Sequence, residues 1–234
     1  MCQGNRFRRI ATWSWQTLFP TLIAAFLCPR LLPAQQSPLP TIVGAVDVSH
    51  SRVYVFVDKR GLGHQHAVEG RLQQGMFHIQ PGQMPQAELV FDMTSFRADT
   101  DQARRWVGLP GKTDATTQKK VTQNMLGPQV LDVRRFPTAR FRLTSVQPRR
   151  DDKGQPYLVI QGQFTLHGVT RPVAVAARAK EFAQGVRIVG QLTIRQTQFG
   201  IKPYTAALGA VGVADPLTIY ADLWVPKAAP PSRR

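Results

Sequence analysis

The decapeptide TARFRLTSVQ (138–147) sets the reading of the whole chain. Successive side chains of a strand point to opposite faces, so Ala139, Phe141 and Leu143 share one side and Arg140, Arg142 and Thr144 the other. Such a strand turns one face to an apolar core and the other to water, as antiparallel sheets do. The habit recurs upstream. SRVYVFVDK (51–59) interleaves Val53, Val55 and Val57 with Tyr54 and Phe56. HAVEGRLQQGMFHI (66–79) runs extended with breaks at Gly70 and Gly75, and QAELVFDM (86–93) is a shorter third strand. Downstream, PYLVIQGQFTLHG (156–168) and RPVAVAARAK (171–180) read as a strand pair joined by a short turn. In GVRIVGQLTIRQ (185–196) the residues Val186, Ile188, Leu192 and Ile194 line one side. PLTIYADLWV (216–225) closes the series with Leu217, Ile219, Leu223 and Val225 in phase.

One segment lacks the alternation. Between Thr94 and Pro137, DTDQARRWVG (99–108) and DATTQKKVTQNML (114–126) read as one or two short helices inserted between the third and fourth strands. In the second, Val121, Met125 and Leu126 share a helical face, with Asp114 and Thr116 near the start. Strands at short spacing with turns between them predict an all-β sandwich or barrel. About eight strands close a barrel wide enough for side chains or one ligand. Periodicity alone does not separate the two architectures.

The N-terminus has the pattern of an export signal. A basic head with Arg6, Arg8 and Arg9 precedes the apolar run ATWSWQTLFPTLIAAFLC (11–28), and small residues follow Pro29. Cleavage is expected after Ala34, giving a periplasmic or extracellular protein. The other reading is a retained anchor, against which stand Pro20 within the run and Arg30 near the lower length limit for a span. Cys28 makes a poor lipoprotein site because Leu27 precedes it. Residues 35–40 form a Pro-rich lead-in, 41–226 the domain and 227–234 a basic tail expected to be disordered.

Of 30 basic residues the signal removes four, all arginine, and it removes none of the 14 acidic ones, so the net charge falls from +16 to +12. That excess favours anionic surfaces, including peripheral contact with anionic membrane. The basic residues are scattered and not matched by a row of aromatics, which argues against nucleic acid. Both cysteines, Cys2 and Cys28, leave with the signal, so neither a disulfide nor a thiolate centre remains. No nucleophile elbow, paired-carboxylate motif or metalloprotease helix appears, and GLPGK (108–112) lacks phosphate-loop spacing, so no enzyme is expected.

Several motifs taken in order resemble one known family. LDVRRFPTARFRLTSV (131–146) followed by VIQGQFTLHGVTRPVAVAARAK (159–180) is similar to the YceI-like family. HSRVYVFV (50–57), FDMTSFRADT (91–100) and QTQFGI (196–201) match further along, and the resemblance covers roughly 41–226. It implies an extended antiparallel lipocalin-like barrel with a helix near its open end. Relatives are periplasmic or secreted, some hold a polyisoprenoid or another long amphiphile, and none is known as an enzyme. The chain departs from the pattern at Gly-His-Gln-His (63–66), where one histidine is usual, and at Phe164, where leucine is commoner.

The expectation is a binding protein for a long apolar molecule, an isoprenoid or other lipid, without a cofactor. His64, His66 and Arg171 are candidates to orient a polar head. Val53, Val55, Phe141, Leu143, Val159, Ile188 and Leu192 are candidates to line core or pocket. Two alternatives stand beside it. One is a closed-core envelope interaction or stress protein acting through its basic surface. The other is metal binding through His64 and His66, since residues two apart on a strand share a face. Neither the spacing of His50, His78 and His167 nor the nearby Asp58 and Glu69 shows the further ligands a zinc site requires. Oligomeric state is not legible.

Overall fold

The computed structural model describes residues 39–227. The expected signal, most of the lead-in and the tail from 228 onward fall outside the described residues. A short strand β1 (Ile42–Ala45) leads into β2 (Arg52–Gly61), β3 (His66–Ile79) and β4 (Gln86–Ala98). Two helices follow, α1 (Asp101–Val107) and α2 (Ala115–Leu126). Four long strands come next: β5 (Thr138–Arg150), β6 (Pro156–Leu166), β7 (Val169–Phe182) and β8 (Gly185–Arg195). A 3₁₀ turn (Gln196–Phe199), the two-residue β9 (Thr205–Ala206), a second 3₁₀ turn (Ala207–Gly209) and β10 (Val211–Pro226) complete the order.

Eight strands form a closed antiparallel ring: β2, β3, β4, β5, β6, β7, β8 and β10, with β10 returning to pair with β2. Closure leaves no free edge in the ring, which answers the sandwich-or-barrel question. β1 pairs with β3 beside the start of β2, and β9 pairs with β10. The β6–β7 turn carries His167 (φ 51°) and Gly168 (φ 75°), consecutive left-handed residues that suit a tight hairpin. Phe136 packs against that glycine so closely that an added Cβ would lie 2.7 Å from its ring.

The two helices lie apart in role. Thr100 caps α1, its hydroxyl accepting from the Ala103 amide at 3.1 Å, and Asp114 caps α2, its carboxylate accepting from the Thr117 amide at 3.0 Å. α1 packs on the outer wall: Trp106 stacks on Tyr54 at 4.5 Å, and Gln102 donates to the Tyr54 hydroxyl at 2.7 Å. Val121 and Met125 of α2 instead turn toward the barrel interior.

β4 continues through Ala98, past the sequence limit at Met93. The register slips there, with Glu69 opposite Arg97 but Arg71 opposite Asp92, so β4 bulges between them. Ser95 seals the bulge, donating to the Asp92 carbonyl and accepting from the Arg71 amide. A bulge shifts the inward phase by one residue, so Met93 and Phe96 both point inward and period two is lost.

Candidate functional site

The ring encloses an apolar cavity of about 240 Å³. Its walls come from every barrel strand, including Val53 and Val55 of β2, Phe141 of β5, and Ile188 and Leu192 of β8. From Leu217 to Leu223 along β10 the lining spans roughly 15 Å of the axis, at about 3.3 Å per residue and a tilt of about 40°. One end is filled. Ile42, Val46, Ile79, Val186 and Val225 are buried there and pack as solid core. At the other end Val57, Val121, Met125, Leu131 and Val213 line the cavity yet remain half-exposed, so the cavity opens beside α2.

Polar side chains enter the lining only near that opening: His66, Asn124, Gln196 and Tyr204. Gln196 is 4% exposed and donates to the Ala214 carbonyl at 2.8 Å, which fixes it. Asn124 of α2 reaches the Tyr204 hydroxyl at 3.5 Å. His66 opens β3, with Nδ1 2.6 Å from Asp99 Oδ2. That bond leaves Nε2 without a protein partner among the described residues.

Asp99 is the buried anchor of this cluster. It is 1% exposed and held at φ 56°, a left-handed backbone that Asp tolerates better than most residues. Its Oδ1 accepts from the Ala67 amide at 3.0 Å and from Arg104 at 3.3 Å, and Gln118 of α2 donates to its carbonyl at 2.9 Å. Burial pushes the carboxyl pKa up. The hydrogen bonds from His66 and Ala67 and the charge of Arg104 outweigh that and hold it below the usual carboxylate value. The cluster therefore orients the His66 ring and ties α2 to the end of β4.

The sequence candidates separate cleanly. Val53, Val55, Phe141, Ile188, Leu192 and His66 line the cavity. Leu143 packs against the core beyond it. Val159 is a correction: in the run Leu158-Val159-Ile160 the buried pair is Leu158 and Ile160, so Val159 stands on the other face. Arg171 is exposed at the rim and donates to the Gln198 carbonyl at 3.1 Å. His64 lies exposed in the loop before β3, outside any strand, so it does not form a same-face pair with His66. Among the described residues no three His, Cys, Asp or Glu side chains converge on one point.

Asp99, Gln196 and Tyr204 escaped the sequence reading because loops and turns carry them, where periodicity is silent. The usable signal was in α2, whose Val121 and Met125 face was legible but had no assigned partner.

The family model for the YceI-like domain matches residues 45–224. The chain belongs to the YceI-like family. A UPF0312 protein of Shewanella denitrificans is 27% identical over 195 residues, covering 77% of this chain and 87% of that one. One from Shewanella oneidensis is 38% identical over 86 residues, but that match spans 34% of this chain and only 43% of the relative. Among solved structures, Burkholderia cenocepacia BcnA superposes with a TM-score of 0.54 at 17% identity, over 77% of this chain and 99% of BcnA. A polyisoprenoid binding domain from Saccharophagus degradans, implicated in plant cell wall breakdown, superposes at 0.52 with 12% identity, over 80% and 99%. At these identities the likeness is one of fold, and it agrees with the lipocalin-like YceI-like barrel described above.

Proposed function

We propose that this protein is an exported, non-enzymatic carrier that holds one long apolar or amphiphilic molecule, an isoprenoid or other lipid, inside the barrel. The observation that carries the reading is the one-ended cavity, apolar through its depth and polar only at the α2 mouth. An apolar cavity of about 150 Å³ already stays dry and takes up small hydrocarbons. Burial of ligand surface would contribute about 0.8 kcal/mol per methylene. The polar head would rest at the mouth, where His66 Nε2, the Asn124 amide and the Tyr204 hydroxyl can bond it. The shared fold with the Saccharophagus degradans polyisoprenoid binding domain supports the same ligand class. The unfilled lumen favours this over a closed-core protein acting through its basic surface.

Native mass spectrometry of protein recovered from the periplasm of an expression host tests the proposal. The expected result is a mature N-terminus at Gln35 and an added mass that is lost on denaturation and extracts into organic solvent. Bare polypeptide, even after incubation with geranylgeraniol and with phospholipid, would contradict it.

A further inference from the structure

Past the mouth, three chain segments continue as a small flap. Lys59, Arg60 and Gly61 of β2 pair with Val213, Gly212 and Val211 of β10, and β9 pairs with Val211 and Gly212 on the other side. The β10 register jumps between Val213 and Leu217, so a bulge at Ala214–Pro216 separates flap from barrel wall. Two connections cap the flap, the β2–β3 turn and the 207–209 turn, and they are locked together. Leu62 donates its amide to the Ala210 carbonyl at 3.0 Å, and Gly61 lies so close that a Cβ there would meet that same oxygen at 2.4 Å.

These two turns carry Leu62 and Leu208, 80% and 110% exposed. At the filled end Met84 on the β3–β4 turn is also 80% exposed, with Met76 of β3 at 53%; the flap differs in carrying two such leucines on turns hydrogen-bonded to each other. Leu208 is also held at φ 54°, a left-handed conformation that costs a leucine free energy and presents it outward. Around the leucines the charge is mostly basic. Lys59 and Arg60 are exposed on the flap, Lys202 just before β9, and Lys120 one helical turn from Asn124. None of the four makes an ion pair among the described residues. Two acids are nearby: Gln65 and the Lys59 amide donate to Asp58 at 3.0 and 2.8 Å, and Asp215 in the bulge accepts from Thr197 at 2.9 Å and pairs with Arg195.

We infer that this flap is a membrane-docking surface: Leu62 and Leu208 insert at the headgroup boundary of an anionic phospholipid bilayer, and the basic residues hold the open mouth against it. Apolar side chains on a basic surface are the combination that binds such interfaces, and neither part suffices alone. Val57 lines the mouth and Leu62 stands up to roughly 15 Å further along the chain, so docking by the tip turns the cavity toward the lipid. The inference rests on the carrier reading for its purpose but not for its test.

Hydrogen exchange of the full chain, with and without vesicles, reads the docking locally. Mixed phosphatidylglycerol–phosphatidylcholine vesicles are expected to slow exchange across 58–64 and 205–213, and phosphatidylcholine alone to do so much less. The double variant L62S/L208S should lose that protection and partition about tenfold more weakly. K59Q/R60Q should lose about fivefold per charge, and only on the anionic vesicles. Both variants should bind geranylgeraniol as the parent does, since none of these residues lines the cavity. Unchanged flap exchange in the presence of anionic vesicles, or equal partition of parent and L62S/L208S, would overturn the inference. Flap protection without geranylgeraniol uptake would instead sink the carrier reading and leave the docking surface standing.

Discussion

The two ends of the barrel are built from the same residue types and do different things. At the filled end Ile42 and Ile79, paired side by side on β1 and β3, are 1% and 0% exposed within the packed core. At the α2 end Val57, Leu192, Leu217 and Ile219 hold equivalent inward positions and stay half-exposed to an unfilled lumen. The difference lies in what covers them. β1 adds a strand beside β3 at one end, whereas a single helix with no buried residue covers the other. An apolar face alone therefore does not make a core. In the carrier reading proposed above, binding comes from apolar surface that the chain leaves unpacked.

The sharpest way to break this contrast is a pair of truncations. Ile79→Ala, at the filled end, is expected to cost about 4 kcal/mol in urea denaturation, the transfer and cavity terms together. Leu192→Ala, at the open half, should cost about 1 kcal/mol or less, because its side chain already borders empty space. Equal losses would mean that the lumen is packed in solution.

Filling the lumen is the complementary change. Ala221 lines the cavity opposite Val53 and Gly190. Ala221→Phe should weaken geranylgeraniol binding about a hundredfold, equivalent to about 2.7 kcal/mol, while the thermal midpoint moves little. A large fall in stability with binding retained would place the ligand elsewhere.

Asp99 tests how far the mouth depends on one buried carboxylate. Asp99→Asn should cost about 2 kcal/mol at neutral pH by weakening the bonds to His66 and Arg104. The folded pKa of Asp99 lies below that of the unfolded chain. Its contribution is therefore fully present above the unfolded value of about 3.9 and is lost as pH falls through the lowered one. Urea titrations at neutral and acid pH should show the difference between parent and variant shrinking on acidification. A gap that stays constant with pH would assign the effect to packing.

The smallest effect belongs to the wall, away from both ends. Arg187 makes a bidentate pair with Asp222 at 2.7 and 2.9 Å on the solvent side. Asp222→Asn should change stability by under about 1 kcal/mol, as exposed pairs do, and leave binding unchanged.

How legible this was from sequence follows the same physics. Regular strands declared themselves: Leu217, Ile219, Leu223 and Val225 kept one phase along β10, and the structure puts all four inside. Bulges hid what lay beyond them. The slip near Asp92 concealed the last turn of β4, and another between Leu143 and Ser145 reversed the inward phase of β5, bringing Val146 opposite Ile160. Val159 was misassigned because three consecutive apolar residues offer no phase at all. Asp99, Tyr204 and the flap depend on loops brought together by barrel closure, and no local pattern encodes that meeting. The resemblance to the YceI-like family supplied the barrel where periodicity left a sandwich open.

The most direct test of a ligand lying along the axis with its head at α2 is photo-crosslinking with a long-chain alcohol carrying a diazirine at its far end. Labelling is expected deep in the lumen, at Phe77, Ile188 or Leu223, and is expected to be lost in Ala221→Phe. Labelling confined to Tyr204, Val213 or the outer wall, and insensitive to Ala221→Phe, would contradict that placement.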